Sequence, residues 1–391
     1  IRLGQNTLKN IRLWDSQSLL DTNRQIHQLR PYYRFSNVAI DRYKLKDGSE
    51  ERQQVMITAR ELDQEGLPNT SRTWLNKHFV FTHGYGFTLS PVNTKASDGL
   101  PEYFIKDIGA STKIVGNKYL GISAKKIKES IPIGKPALYF GTLPSSYVIA
   151  PSLIKELDYP QGDQNIFTHY AGTAGIRLDK LSKKIAASIY LFEPRILNAN
   201  AIINESKLII RRDVKSRIRH IAPFINLIGE PYLVSTNLNG DNSKQQNQYW
   251  IVEGYTTSKT YPYSSEVTDP KRFLYIRNSV KIVVDAFNGD IKLYICDNND
   301  PIIKAWKDIF PNLFNDISEM EKSLLEHIRV PTDLFKIKVN QLLRYHVTDT
   351  QTFYNGDDIW QVPSEIYGNK EMPVQPYYIT AQLNQSEKAE F

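Results

Sequence analysis

Alternating apolar and polar positions predict β-strands in the first part of the chain. The alternation runs through residues 38–45 and 54–60, and the short polar stretch between the two runs predicts a hairpin turn. Apolar residues also dominate 137–141 and 147–150, on either side of a Pro-containing turn. Together with a polar, helix-like stretch near the first residue, these strands predict an α+β lobe over residues 1–157.

Helical periodicity replaces this alternation in the middle of the chain. Apolar residues spaced three and four apart predict helices over 178–191 and 212–221. Each helix has one face rich in Ile and Leu, and such a face needs a partner surface to pack against. The segment 158–229 is therefore expected to be mainly helical and to lie against a neighbouring lobe.

The last segment, residues 230–391, is predicted to be a second α+β lobe in which helices follow an antiparallel sheet. Two strand-like runs at 231–238 and 249–255 flank a polar insert and predict a hairpin. The chain is therefore predicted to be of the α+β class, with antiparallel sheets and hairpins in two lobes and a helical middle segment.

The strongest local prediction in the chain is a second hairpin in this lobe. Asn288 and Gly289 predict a two-residue type I′ turn, and counting outward from that turn pairs Val284 with Leu293. One face of the hairpin is then wholly apolar. The other face carries Lys281 and is expected to meet solvent.

Composition and charge exclude several classes of protein. Hydrophobic residues make up 41% and charged residues 23% of the chain, close to globular averages of about 45–50% and 25%, so a disordered chain is excluded. The net charge of +7 over 391 residues is too small for a nucleic-acid-binding arm. The single cysteine, Cys296, excludes an intrachain disulfide framework and a thiolate metal cluster.

Basic residues are concentrated at positions 207–219, which hold six Lys and Arg against one Asp. A basic helix of this kind can meet anionic lipid headgroups. The alternative is a solvated helix face opposite a buried row of Ile and Val. The sequence leaves both open.

Neither a membrane-spanning helix nor a leader is predicted within the chain. Its longest stretch without Asp, Glu, Lys or Arg, residues 136–154, is interrupted by three prolines. The chain begins with Ile1 and without a charged-then-apolar leader. We therefore expect a piece of a longer polypeptide.

Strong catalytic signatures are absent from the sequence, so no catalytic residue is assigned. His83 is the best histidine candidate for ligand binding, since Gly84 and Gly86 around Tyr85 allow a tight loop that can approach a ligand. The alternative is a loop histidine that hydrogen-bonds to the backbone. His346 falls on the apolar face of a predicted helix, which favours an interior histidine over a catalytic one.

A Tyr-rich loop over residues 254–265 is a further candidate for ligand or partner binding. Tyr255, Tyr261 and Tyr263 each combine an apolar ring with a polar tip, which suits protein interfaces and sugar faces. The alternative is a structured turn whose rings pack on the sheet.

Metal binding is left unknown, and no cofactor is predicted. His78 and His83 have neither helical nor strand spacing for a ligand pair. Asp297 and Asp300 offer the hard oxygen ligands that Ca²⁺ prefers, but their spacing is not that of an EF-hand. Asp300 with Pro301 also predicts the N-terminal cap of a helix.

Several long stretches of the chain resemble uncharacterised protein family 0182. They are TWLNKHFVFTHGYGFTLSPVN (73–93), NIRLWD (10–15), RPYYRF (30–35), LPEYFIKDI (100–108), ELDYPQGD (156–163), GYTTSKTYPYS (254–264), YIRNSVKIVVDAFNGD (275–290) and FYNGDDIWQVPSE (353–365). The resemblance implies a bacterial integral membrane protein with a multi-spanning N-terminal region. It also implies that this chain is the soluble region and faces outside the cytoplasmic membrane. It implies no known reaction.

Two functional hypotheses follow. The first is an extracytoplasmic binding or interaction domain of a membrane protein for transport, sensing or envelope maintenance. The second is an envelope hydrolase or transferase that acts on glycan or lipid. Expected partners are the membrane, through a region outside this chain, and an envelope protein, glycan or lipid, but no nucleic acid.

Overall fold

The computed structural model describes residues 5–46, 52–109, 119–238, 246–264, 273–367, 370–382 and 390–391. These residues form helices and several small antiparallel sheets, which confirms the predicted α+β class.

The first predicted segment contains nine described strands and three α-helices. The strands are β1 (Tyr33–Phe35), β2 (Ala39–Lys44), β3 (Arg52–Leu62), β4 (Gly84–Tyr85), β5 (Phe87–Pro91), β6 (Ile105–Ile108), β7 (Leu120–Ile122), β8 (Ala137–Leu138) and β9 (Val148–Ala150). The helices are α1 (Gln5–Leu8), α2 (Ser16–Thr22) and α3 (Lys125–Ser130). Short π-helical turns occupy Asn23–His27 and Asn76–Val80, and 3₁₀ turns occupy Gln64–Gly66 and Asn69–Ser71.

The long strand β3 organises the first sheet. It pairs antiparallel with β1, β2 and β5, and the sheet continues from β5 through β6 to β7. The pairing of β2 with β3 confirms the predicted hairpin, whose turn lies outside the described residues. Strands β8 and β9 were also predicted, and they belong to two different small sheets. Strand β8 pairs with β4, and β9 pairs with a strand at residues 207–209.

The middle segment mixes strands and helices. Its elements are β10 (Glu156–Gln161), β11 (Gln164–Thr168), β12 (Ile176–Arg177), α4 (Leu181–Leu191), α5 (Arg195–Asn198), β13 (Lys207–Ile209), α6 (Val214–Ile221) and β14 (Asn226–Leu227). Strands β10 and β11 form a hairpin, and β13 pairs with both β12 and β9. The two predicted helices correspond to α4 and α6.

The last segment begins with strands and continues with helices. Its elements are β15 (Tyr232–Ser235), β16 (Gln248–Ser258), β17 (Tyr275–Asp285), β18 (Ile291–Ile295), α7 (Pro301–Ile309), β19 (Phe314–Asp316), a 3₁₀ turn (Ile317–Glu319), α8 (Lys322–Leu325), α9 (Thr332–Tyr345), α10 (Thr350–Asn355), β20 (Ser364–Tyr367) and β21 (Lys370–Pro373). The antiparallel pairing of β15 with β16 confirms the hairpin predicted there.

The predicted register of the β17–β18 hairpin is wrong by two residues. Val284 pairs with Ile291 and not with Leu293, and five residues, 286–290, connect the strands. The cause is Asp285, whose carboxylate accepts hydrogen bonds from the backbone N–H groups of Phe287 at 2.7 Å and Asn288 at 2.8 Å. A shift of two residues leaves every side chain on its predicted face.

The basic segment 207–219 is not one solvated helix. It begins as strand β13, turns at Arg211, whose φ of 53° is left-handed, and only then enters α6 under the N-terminal cap of Asp213. Of its six basic side chains, only those of Arg211 and Arg219 are exposed. The segment therefore presents no continuous basic face to a lipid surface.

One hydrophobic core contains residues from all three predicted segments. Strand β15 contacts β2 and β3, so the two large sheets pack on each other. An aromatic cluster joins all three segments, with the ring centroids of Tyr139, Tyr170 and Phe287 4.6–5.2 Å apart. The boundaries at residues 157 and 229 stay predictions.

Gly289 is expected to be intolerant of a side chain. Its φ of +69° is left-handed, and an added Cβ would lie 2.5 Å from the Phe140 ring. Gly289→Ala should therefore lower the free energy of unfolding by about 1–3 kcal/mol, measured by urea denaturation. Gly162→Ala is the matched control, since Gly162 has a φ of +59° but open space around it. Equal losses in both variants would contradict the packing argument.

Candidate functional site

The two candidates His83 and Tyr85 lie in a buried polar cluster. Both side chains are buried, and their ring centroids are 6.3 Å apart. His83 Nδ1 lies 3.0 Å from the carbonyl oxygen of Gly84, and His83 Nε2 lies 3.8 Å from Asp158 Oδ1. The structure thus brings the histidine, the tyrosine and an acid together.

Glu156 holds this cluster together from strand β10. Its Oε2 accepts hydrogen bonds from the hydroxyls of Thr82 at 2.6 Å and Tyr139 at 2.7 Å, and its Oε1 accepts one from the Tyr170 N–H at 2.6 Å. The ring of Tyr139 lies 4.6 Å from that of His83. These contacts fill the space around His83 with protein atoms.

Burial controls the protonation of the cluster. Burial lowers the pKa of the His83 imidazole to about 3, and the nearby positive charges of Lys135 and Arg212 also lower it. Burial raises the pKa of Glu156 despite the hydrogen bonds that stabilise the carboxylate. His83 is therefore a neutral, enclosed imidazole beside the carbonyl oxygen of Gly84. This arrangement agrees with the alternative that the sequence left open, a loop histidine that hydrogen-bonds to the backbone.

The low pKa of His83 has a consequence for stability. Between about pH 6.5 and pH 3 the unfolded chain binds a proton at His83 that the folded chain does not, so stability falls as pH falls. From about pH 7 to pH 5 the wild type should lose about 2 kcal/mol more stability than His83→Gln, measured by urea denaturation at each pH. The exposed His220→Gln should keep the wild-type dependence, and an unchanged slope in His83→Gln would refute the assignment.

The three tyrosines of the predicted loop do not share a surface. Tyr255 is buried in β16 within a small cluster that includes Ile228 and Ile337, and burial raises the pKa of its hydroxyl. Tyr261 is exposed with its ring 5.5 Å from that of Tyr275, and Tyr263 is fully exposed. A single Tyr-rich binding loop is therefore not formed by these residues.

His346 lies at the C-terminal end of α9 and not in the interior. Its ring stacks on Trp360 at 3.9 Å, and its Nε2 lies 3.4 Å from Asp358 Oδ2. The predicted apolar face of α9 is largely exposed, because Phe335 and Leu342 both face outward. His346 is thus half-buried among surface residues.

The metal-site candidates have structural roles. His78 stacks on Tyr147 with its Nδ1 2.7 Å from the Tyr147 carbonyl oxygen. Asp300 caps α7 and accepts hydrogen bonds from the hydroxyls of Ser279 at 2.5 Å and Tyr275 at 2.7 Å, which confirms the predicted cap. Within the described ranges, no group of three or more His, Cys, Asp or Glu residues is arranged to hold a metal ion.

A cleft of about 810 Å³ separates the first segment from the last one. One side is formed by residues before and within α2 and by the start of β2. The opposite side is formed by β15, β16 and the start of α9, and the tail 374–378 lies along the cleft. Its volume is in the range of about 300–1,000 Å³ that is typical of small-molecule sites.

The wall of this cleft contains the buried carboxylate of Glu253, and one of its two oxygens has no hydrogen-bond donor among the described residues. Glu253 Oε2 accepts hydrogen bonds from Lys281 Nζ at 2.5 Å and Asn278 Nδ2 at 3.0 Å. Glu253 Oε1 is buried and has no hydrogen-bond partner among the described residues. Because buried polar atoms are almost always hydrogen-bonded, this oxygen has an acceptor capacity that no described residue fills.

Two further charged side chains are fixed in the cleft. The guanidinium carbon of Arg329 lies 3.8 Å from the ring centroid of Tyr232 and 4.8 Å from that of Tyr378. The Asp333 carboxylate lies against Gly229, since a Cβ added to Gly229 would be 2.3 Å from Asp333 Oδ2. Carboxylates outnumber guanidinium groups in the lining, which contains Asp15, Glu230, Glu253, Asp333 and Glu365 against Arg12 and Arg329.

Sequence reasoning missed Glu253, Arg329 and Asp333. Lys281 was expected to face solvent, but it is buried opposite Glu253 in the antiparallel pairing of β16 with β17. The sequence signal for this pair is a charged residue inside an apolar stretch of each strand, Glu253 in β16 and Lys281 in β17. That signal becomes specific only when the pairing of the two strands is known.

The fold and the cleft define a mixed α+β protein region with a candidate binding site. Residues 1–391 match the family described as Uncharacterised protein family (UPF0182). The chain belongs to this family, which confirms the resemblance.

Bacterial relatives support the same assignment. A UPF0182 protein of Prochlorococcus marinus (strain MIT 9303) is 59% identical over 391 residues, which cover 99% of this chain and 41% of the relative. A UPF0182 protein of Synechococcus sp. (strain CC9311) is 55% identical over 394 residues, 100% of this chain and 42% of the relative. No solved structure matches the chain.

The chain spans about two fifths of the length of these curated relatives. Among the described helices, none combines the length and apolar character needed to cross a membrane.

Proposed function

We propose that this chain is the extracytoplasmic ligand-binding region of a multi-spanning bacterial membrane protein, one that serves transport, sensing or envelope maintenance. The family resemblance and the chain's share of its relatives' length support a larger membrane protein. The observation that carries the binding role is the buried Oε1 of Glu253, which has no donor among the described residues and belongs to a side chain in the wall of the cleft.

The chemistry of the cleft favours a ligand rich in hydrogen-bond donors. Five carboxylates and two guanidinium groups line the cleft, and two of the carboxylates, those of Glu230 and Glu253, are paired with Lys215 and Lys281. The remaining small excess of negative charge favours a cation, and Glu253 Oε1 accepts from either a hydroxyl or an ammonium. The half-exposed ring of Tyr377, with the Arg12 guanidinium carbon 4.3 Å from its centroid, adds aromatic surface beside these groups. An oligosaccharide that carries amino groups combines all three features, and it is the ligand class that we propose.

A thermal-shift comparison of two related sugars tests this class. The melting temperature of the chain should rise with the concentration of chitosan tetramer, because binding to the folded state alone stabilises it. It should rise less with chitotetraose, in which acetylation removes the positive charges. Equal shifts would refute the role of charge, and no shift with either sugar would refute the proposed ligand class.

The enzyme hypothesis receives less support from the geometry. His83, Tyr85 and Asp158 converge, but all three are buried and none of them lines the cleft. A general acid or base must reach a substrate proton within hydrogen-bond distance. The enclosed cluster is therefore better explained as a polar part of the core.

A further inference from the structure

Helix α4 presents an uncharged apolar face to its surroundings. Leu181, Ile185 and Ile189 are four residues apart and share one side of the helix. Leu181 and Ile189 are each 68% exposed, and Phe192, which ends the helix, is 92% exposed. The two charged residues of the helix, Lys183 and Lys184, are half-buried and lie away from this face.

Three large apolar side chains of α4, those of Leu181, Ile185 and Ile189, thus point outward, while Ala187, Ser188 and Leu191 fix the helix to the protein. The buried residues of α4 are Ala187 and Ser188, and Ala187 packs in a cluster with Leu178 and Ile196. A helix of a monomeric soluble protein normally has the opposite arrangement. An outward apolar stripe of this kind marks a surface that is covered in the working protein.

A second apolar surface adjoins the end of α4. Pro194 and Arg195 follow Phe192 closely and line a groove of about 860 Å³ together with Trp74, Leu75 and Leu153. Leu75 and Leu153 are exposed at the edge of this groove. The apolar face of α4 and this groove together are called the α4 surface below.

Basic residues surround the α4 surface. Residues 177–211 contain seven Lys and Arg against three Asp and Glu, although the whole chain has a net charge of only +7. Arg177, Lys180 and Arg211 are exposed around the helix, and Arg211 donates a hydrogen bond to the Tyr190 hydroxyl at 3.2 Å. An apolar stripe with a basic rim complements the acyl boundary and phosphates of an anionic bilayer.

We propose that the α4 surface docks on an anionic lipid bilayer. The side chains of Leu181, Ile185, Ile189 and Phe192 enter the boundary between headgroups and acyl chains, and the surrounding Lys and Arg contact lipid phosphates. The inference does not depend on ligand binding in the cleft. It assigns the lipid contact to α4, whereas from the sequence alone lipid contact was one of two alternatives for the basic segment 207–219.

Vesicle flotation of the 391-residue chain tests the proposal. The chain should float with phosphatidylcholine vesicles that contain phosphatidylglycerol, float less with phosphatidylcholine alone, and be partly released by salt. Phe192→Asp should weaken binding to the anionic vesicles at least about tenfold, because it places a carboxylate at the bilayer boundary. Phe192 has a left-handed φ of 53°, which Asp adopts more readily than Phe, so the variant should fold normally.

Leu342→Asp is the matched control, since Leu342 is 65% exposed on helix α9. It should bind vesicles as the wild type does. Failure of the wild type to float with anionic vesicles would overturn the proposal, and so would unchanged binding by Phe192→Asp. A dimer in solution that Phe192→Asp separates, without any vesicle binding, would show that a second copy covers the α4 surface and that the lipid proposal is wrong.

Discussion

Replacing Arg212 with methionine is expected to lower the free energy of unfolding by about 3–5 kcal/mol. The Arg212 side chain is buried, and it donates to the carbonyl oxygens of Tyr139 at 2.8 Å, Ser146 at 3.1 Å and Thr82. These carbonyls belong to separate stretches of the chain, so the guanidinium joins them at one point. Burial lowers its pKa to about 10, which still leaves it charged at neutral pH.

Methionine fills a similar volume but donates no hydrogen bond, so buried carbonyl oxygens would lose their donor at about 1–3 kcal/mol each. Urea denaturation measures the loss. Arg219→Met is the control, because Arg219 is exposed on helix α6, which begins just after Arg212. A stability of Arg212→Met within about 1 kcal/mol of that control would contradict the structural role of the buried guanidinium.

Lys281→Met is the second change with a large expected effect, again about 3–5 kcal/mol, because it leaves a buried carboxylate without its cation. The side chains of Lys281 and Glu253 are only 6% and 9% exposed, and their charged atoms are 2.5 Å apart. Lys281 Nζ also donates to Asn278 Oδ1 at 2.8 Å. The pair fixes Glu253 at the wall of the cleft.

A double-mutant cycle separates the ion pair from other effects of the substitution. Combining Lys281→Met with Glu253→Leu removes both charges, and the double variant should be more stable than Lys281→Met alone. Thermal or urea unfolding of all four proteins gives the coupling energy. Strictly additive losses would show that the two side chains do not depend on each other.

The β17–β18 hairpin shows what the sequence pattern could and could not predict. Its two faces and its position follow from alternating side chains. Its register was wrong because the Asp285 carboxylate binds backbone N–H groups inside the turn, and Asn288 Oδ1 accepts a hydrogen bond from the Thr173 N–H at 2.9 Å. One contact inside the turn and one contact with a distant part of the chain thus accompany a longer turn than the two-residue pattern predicts.

The candidate sites also show which features the sequence could predict and which it could not. The glycines around Tyr85 drew attention to His83, but its surroundings include Glu156 and Arg212, which bind the adjacent Thr82 and lie far away along the chain. Likewise, Lys281 is buried because its strand pairs with the one that carries Glu253. Local spacing identifies polar residues inside apolar runs, but only the assembled sheet shows which of them meet a cleft.

Isothermal titration of chitosan tetramer into three proteins tests the role of the cleft most directly: the wild type, Glu253→Gln and Glu129→Gln. Glu129 is exposed on α3, outside the cleft, and is the matched control. The wild type and Glu129→Gln should bind with equal affinity. Glu253→Gln should bind at least about tenfold more weakly, since it loses a charge-assisted hydrogen bond. Equal affinity in all three proteins, or no binding by the wild type, would contradict a ligand held by Glu253.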